Sequence, residues 1–196
     1  MVRRRVGSNQ YRTRVGIVDP LAIQAPDEDL MQQVRRENPG RRHLEPGDHR
    51  TPQRILDQLA RSDFWYTRKQ VASNPNAAPA TVAYMAGDEH EGVRMAVARH
   101  RKVTPQVLSQ LAQDTGWDVR RAVARNPITP QAALADLAQD EDWEVRQAVA
   151  RNPQTPPQVL AGLLQDPDEE VRDEAQWRWD KEMPEEYRAL RDAVRY

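Results

Sequence analysis

VRRAVARNPITPQAALADLAQDEDWE (Val119–Glu144) and VRQAVARNPQTPPQVLAGLLQDPDEE (Val145–Glu170) are two versions of one 26-residue phrase. The preceding copy, VRMAVARHRKVTPQVLSQLAQDTGWD from Val93, keeps the leucine register although its Thr104-Pro105 is slipped by one residue. Stepping back another 26 residues gives TRKQVASNPNAAPATVAYMAGDEHEG from Thr67, and one more step lands on Thr51-Pro52, in register with Thr129-Pro130. A further start lies at Val171-Arg172. A period this strict, between about 20 and 50 residues, marks stacked supersecondary units.

Each unit carries two helix signals. In helix A, Val119, Ala122 and Val123 fall at i, i+3 and i+4, making one apolar stripe. Asp142 and Asp168 precede the later copies at N-cap positions, and Asn126-Pro127 or Asn152-Pro153 stops the helix, because proline disfavours helical backbone in the residue before it. Helix B opens on Thr-Pro, with Thr129 placed to cap and Pro130 to occupy N1, where a missing N–H costs nothing. Its stripe is Leu134, Leu137 and Ala138, matched by Leu56, Leu59, Ala60; Val82, Met85, Ala86; Leu108, Leu111, Ala112; and Leu160, Leu163, Leu164. One unit buries only about six side chains, the large ones contributing roughly 1.5–3 kcal/mol each. That does not offset the ordering entropy of the unit, so neighbours must stack. Ala72, Ala98, Ala124 and Ala150 lie off the main stripe yet recur, which points to close approach by an adjacent helix. The expected fold is therefore all-α: a superhelical solenoid of about five such repeats.

The pattern V-R-x-x-V-A-x-N-P-x-T-P-x-x-x-L-x-x-L-A-x-D resembles the leucine-rich repeat variant family, and LLQDPDEEVRDEA (Leu163 to Ala175) is similar to HEAT-like repeats. Together these resemblances cover about residues 51–179. They imply a superhelical scaffold whose units pair an α-helix with a shorter, 3₁₀-like helix; they imply no particular substrate. Some members of the variant family carry an N-terminal iron–sulfur cluster held by cysteines. This chain has no Cys, so that feature does not carry over.

The remaining chain reads differently. Residues 1–50 lack the period: a basic segment, RRRVGSNQYRTR (Arg3 to Arg14), precedes a possible short helix from Asp27 to Arg36 and two turn signals, Asn38-Pro39-Gly40 and Pro46-Gly47-Asp48. This region is expected to be a tail and linker, partly disordered or docked on the first repeat. Past Val171 the Asn-Pro stop gives way to Arg178-Trp179, so helix A should run on through Gln176-Trp177-Arg178-Trp179, both tryptophans belonging to a C-terminal cap. A capping helix within residues 180–196, about Glu185 to Arg195, should close the core with Tyr187, Leu190 and Val194.

Composition narrows the functional classes. The 196 residues are 38% hydrophobic and 30% charged. The mean hydropathy of −0.90 suits an elongated array with much surface. Without cysteine there are no disulfides or thiolate metal sites, and the four histidines show no ligand spacing, so no metal and no cofactor is expected. No apolar run spans a membrane and the basic N-terminus lacks the apolar stretch of a signal peptide, so the expected location is cytoplasmic. Net charge is −1 but unevenly placed: residues 1–24 carry five Arg against one Asp, while the acidic residues gather at the other end. No phosphate-binding glycine loop or Ser/His/Asp arrangement stands out, so no catalytic residue is nominated and the protein is expected not to be an enzyme.

Three features remain. Arg68, Arg94, Arg120, Arg146 and Arg172 form one ladder and Asp88, Asp114, Asp140 and Asp166 another, read as a stacked Arg–Asp network joining units, with phosphate binding as the alternative. Arg99, Arg125 and Arg151 lie away from the core stripe, and with Trp65, Trp117 and Trp143 at one repeat position they are candidates for binding a protein or peptide. The bland readings are a solvated face for the arginines and joint-covering for the tryptophans. The competing reading is nucleic acid, gripped by Arg3, Arg4, Arg5, Arg12 and Arg14 of the tail together with Arg68, Lys69, Arg101, Lys102 and Arg121.

Overall fold

The computed structural model describes residues 45–184 together with Gln32, Arg36 and Tyr187. The ten helices among them alternate between two kinds. The short B helices are α1 (Gln53–Leu59), α3 (Pro79–Met85), α5 (Pro105–Leu111), α7 (Gln131–Leu137) and α9 (Pro157–Leu163). The A helices are α2 (Trp65–Ala72), α4 (Glu91–Ala98), α6 (Trp117–Arg125), α8 (Trp143–Arg151) and α10 (Glu169–Glu182). Each A helix packs on the next A helix and on its neighbouring B helices, whereas contacts between successive B helices are sparser. No strand occurs among the described residues.

The core follows the two stripes. Leu56, Leu59, Val71, Val93, Val97, Leu108, Val119, Val123, Leu134, Val145, Val149, Leu160 and Val171 are fully buried in one continuous cluster. Ala72, Ala98, Ala124 and Ala150 are fully buried as well, where each A helix meets the next; a larger side chain there would hold the helices apart.

Local chemistry sets the helix ends. Asp142 caps α8, accepting from the Glu144 N–H at 2.8 Å, and Asp168 caps α10 through Glu170 at 3.0 Å. The pre-proline Asn126 and Asn152 turn extended, as expected. The threonines of the Thr-Pro pairs behave differently from the expected caps. Thr129 and Thr155 each donate a hydroxyl at 2.6 Å back to the preceding A helix, to the carbonyls of Val123 and Val149. Both are buried beside the carbonyls at the end of helix A, which also accept the Asn126 and Asn152 backbone N–H groups, so each hydroxyl adds a second bond to a carbonyl with two lone pairs. Only the slipped copy places its threonine as a cap, Thr104 accepting from Val107 with Pro105 at the start of the helix. The B helices are also α-helical rather than 3₁₀-like: Leu134 and Ala138 donate at 3.0 Å to Pro130 and Leu134, four residues back. That pitch keeps Leu134, Leu137 and Ala138 on one stripe.

Helix α10 runs through Arg178 and Trp179. Trp179 is 4% exposed in the core, but Trp177 is 58% exposed and does not help close it. Tyr187 packs against the core. The rest of the expected last helix, most of the Asp27–Arg36 helix and the arginines at positions 3, 4, 5, 12 and 14 lie outside the described residues; Gln32 and Arg36 are helical and exposed.

Candidate functional site

Two hydrogen-bonded ladders hold the units in line, and together they account for many of the polar residues that repeat. In the first, the Arg94 guanidinium forks onto Asp114, Nε to one oxygen at 2.6 Å and Nη2 to the other at 2.9 Å. Its Nη1 donates to the Asp88 carbonyl of the unit before at 2.8 Å. Arg120 repeats this with Asp140 and the Asp114 carbonyl, and Arg146 with Asp166 and the Asp140 carbonyl. Arg68 does the same with Asp88, and Arg172 meets the Asp166 carbonyl at 2.6 Å. The bridge is continuous from unit to unit. Burial pushes the carboxyls of Asp114, Asp140 and Asp166 up, but the paired guanidinium and a backbone N–H outweigh it, and all three lie below the ordinary value. Arg68, a phosphate candidate by sequence, is buried in this network with its donors engaged.

The second ladder was not foreseen. The Asn of each Asn-Pro stop also reaches back into the previous unit. Asn126 Nδ2 donates to the Ala98 carbonyl at 2.8 Å; Asn152 donates to the carbonyls of Ala124 at 2.6 Å and Asn126 at 2.8 Å. Asn74 does so to Pro46 and Asp48. His100 stands in for Asn in the slipped copy, its Nε2 meeting the Asn74 carbonyl at 2.9 Å while Nδ1 accepts from the Lys102 N–H. This pairing fixes a neutral ring, and burial pushes its pKa down. At the far end Arg178 takes the place of Asn, buried, donating to the carbonyls of Ala150, Asn152 and Pro153. The 26-residue recurrence of Asn at these positions was the available signal.

What the ladders leave over is the outer face of the A helices. Trp117 and Trp143 are 37% and 40% exposed there. Trp65 is half-buried and lies flat on His90 of the next unit, ring centroids 3.8 Å apart, so this tryptophan covers a joint. Glu91, at the same repeat position, crosses the next joint, its carboxylate lying against Gly116. Arg121 lies over the Trp117 ring at 5.7 Å and pairs with Glu144 at 3.0 Å.

The row Arg99, Arg125 and Arg151 is exposed on this face. Arg151 pairs with Glu174 at 2.6 Å, whereas Arg99 and Arg125 make no ion pair or hydrogen bond among the described residues. Burial lowers the Arg125 pKa, and repulsion from Arg121, Arg151 and Arg99 adds to it, so the row is close enough to act as one positive field. Arg101 and Lys102 bend back to carbonyls of the preceding loop, and Lys69 lies over Trp65 at 5.9 Å. No group of His, Asp or Glu among the described residues is arranged to hold a metal ion, and no described helix is long and apolar enough to cross a membrane.

Comparison with known proteins agrees with this architecture. A family model described as leucine rich repeat variant matches residues 117–142 and 143–168, two whole units. A solved structure titled "A leucine-rich repeat variant with a novel repetitive protein structural motif" is similar at 27% identity with a TM-score of 0.58, over 80% of this chain. The chain spans 63% of that protein's length. Among curated proteins nothing matches.

Proposed function

We propose that this chain, a leucine-rich repeat variant protein of the helical-repeat type, is a non-enzymatic scaffold that binds a protein or peptide on the outer face of its A helices. The observation that carries this reading is the contrast within that face: the ladders engage the recurring polar positions of the repeat, while Trp117, Trp143, Arg99 and Arg125 keep free contact surface and unpaired charge. Aromatic and arginine side chains are the usual anchors of protein interfaces. The domain division proposed with it is a basic tail and linker through residue 50, the solenoid over residues 51–179, and a cap beyond.

The nucleic-acid alternative is the weaker reading. Of the arginines named for it, Arg68 is buried in the Arg–Asp ladder and Arg121 is held by Glu144, and Glu169, Glu170 and Asp173 follow in the last unit. A photoactivatable residue at position 117 or 143 tests the scaffold reading directly in the source cell. Cross-links to protein from these positions, and none from Asp136 on a B helix, are expected. Equal capture from Asp136, or capture of nucleic acid alone, would overturn it.

A further inference from the structure

The unit that begins at Val93 departs from the repeat twice, and both departures fall at one place. Where the other A helices carry Lys69, Arg121, Gln147 and Asp173, α4 carries the apolar Met95. Where the units on either side read Asn74-Pro75 and Asn126-Pro127, this one reads His100-Arg101, followed by Lys102. Stacking requires neither change.

Met95, His100 and Arg101 line a cleft of about 370 Å³ between α2 and α4. Met95 is partly buried against the core and, with Ala96 and Pro75, gives the cleft an apolar wall. Lys69, Arg99 and Arg101 supply its charge, and no carboxylate lines it among the described residues. Arg101 has given one bond to the Pro75 carbonyl at 3.0 Å, and Arg99 has given none. A bare anion would leave the apolar wall uncovered. A wholly apolar segment would desolvate three cations without compensation.

We propose that this cleft docks an acidic peptide segment bearing one large apolar side chain. The apolar side chain rests on Met95, whose flexible thioether adapts to varied shapes. Carboxylates on either side of it meet Arg99, Arg101 and Lys69. The proposal rests on the A-helix face being a protein-binding surface and names the chemistry of the partner. Charge complementarity favours a peptide over a nucleic acid, because a strand leaving the cleft along the face would bring its phosphates against Glu144 and Glu174.

Fluorescence anisotropy with the full chain at low salt decides it. The probes are a labelled peptide of glutamates around a central leucine, the same peptide with serine for leucine, and an oligothymidylate. The leucine peptide should bind. The serine peptide should bind at least tenfold more weakly, and the double variant Lys69→Glu/Arg99→Glu should lose at least tenfold while keeping its thermal melt. The milder Arg99→Gln should weaken binding severalfold, and Asp136→Asn on a B helix should leave it unchanged. No binding, equal binding of the two peptides, indifference to the charge variants, or tighter binding of oligothymidylate would each overturn the proposal. Protein cross-links at positions 117 and 143 that persist in the double variant, with no peptide binding, would leave the scaffold reading standing and remove only the cleft.

Discussion

Arg120 and Arg125 share helix α6 and both recur at the 26-residue period, the first position as Arg in five units and the second in three, yet their surroundings differ completely. Arg120 is forked onto Asp140 and bonded to the Asp114 carbonyl. Arg125 makes no hydrogen bond or ion pair among the described residues, and its like-charged neighbours outweigh the attraction of Glu144. Recurrence marks both, so it does not distinguish a structural arginine from an interaction-ready one. What distinguishes them is whether the repeat's own donors and acceptors have already satisfied the side chain.

That comparison can be stressed in three ways. Acid attacks one side of it collectively. Asp114, Asp140 and Asp166 have folded pKa values below 3.8, so their stabilisation is complete above that pH and vanishes as pH falls through the folded values, where only the unfolded chain gains protons readily. Urea midpoints followed by circular dichroism should fall steeply below about pH 4. Single substitutions come next. Arg120→Ala strands the Asp140 carboxylate and should cost about 3 kcal/mol, while Arg125→Ala should stay within about 0.5 kcal/mol. Equal losses in denaturant titration would erase the distinction between the two rows. The smallest effect concerns His100. Its folded pKa lies below 6.5, so the unfolded state takes up the proton first; stability is full above 6.5 and declines as pH falls toward the folded value. Stability compared at about pH 7.5 and about pH 5.5 should show this decline, and His100→Asn, the residue its neighbours use, should flatten it.

The fold was legible in the sequence because period, stripes and prolines all agree on one answer. The Arg–Asp network was legible for the same reason. The Asn ladder was missed because Asn-Pro already had a sufficient explanation as a helix stop, and one residue can end a helix and bridge units at once. Thr129 was misjudged because a hydroxyl before a helix can serve either end of the turn; the Val123 carbonyl, which takes the hydroxyl as a second donor beside the Asn126 N–H and comes close only in three dimensions, decided it. The cleft was hidden because Met95 and His100 look like ordinary drift until packing places them side by side.

The amide ladder also gives the array a mechanical grain. A pull along its axis loads the joints in series, and the joint with the fewest bonds yields first. Asn126 holds the α4–α6 joint with a single bond to Ala98, Asn152 holds the α6–α8 joint with two, and Arg178 clamps the α8–α10 joint through three carbonyls. Counted in this ladder alone, bonding therefore rises from the α4–α6 joint toward the C-terminal end, and its sparsest stretch adjoins α4, one wall of the basic cleft. A load-bearing partner seated there would strain the softest link of the spring before disturbing the rest.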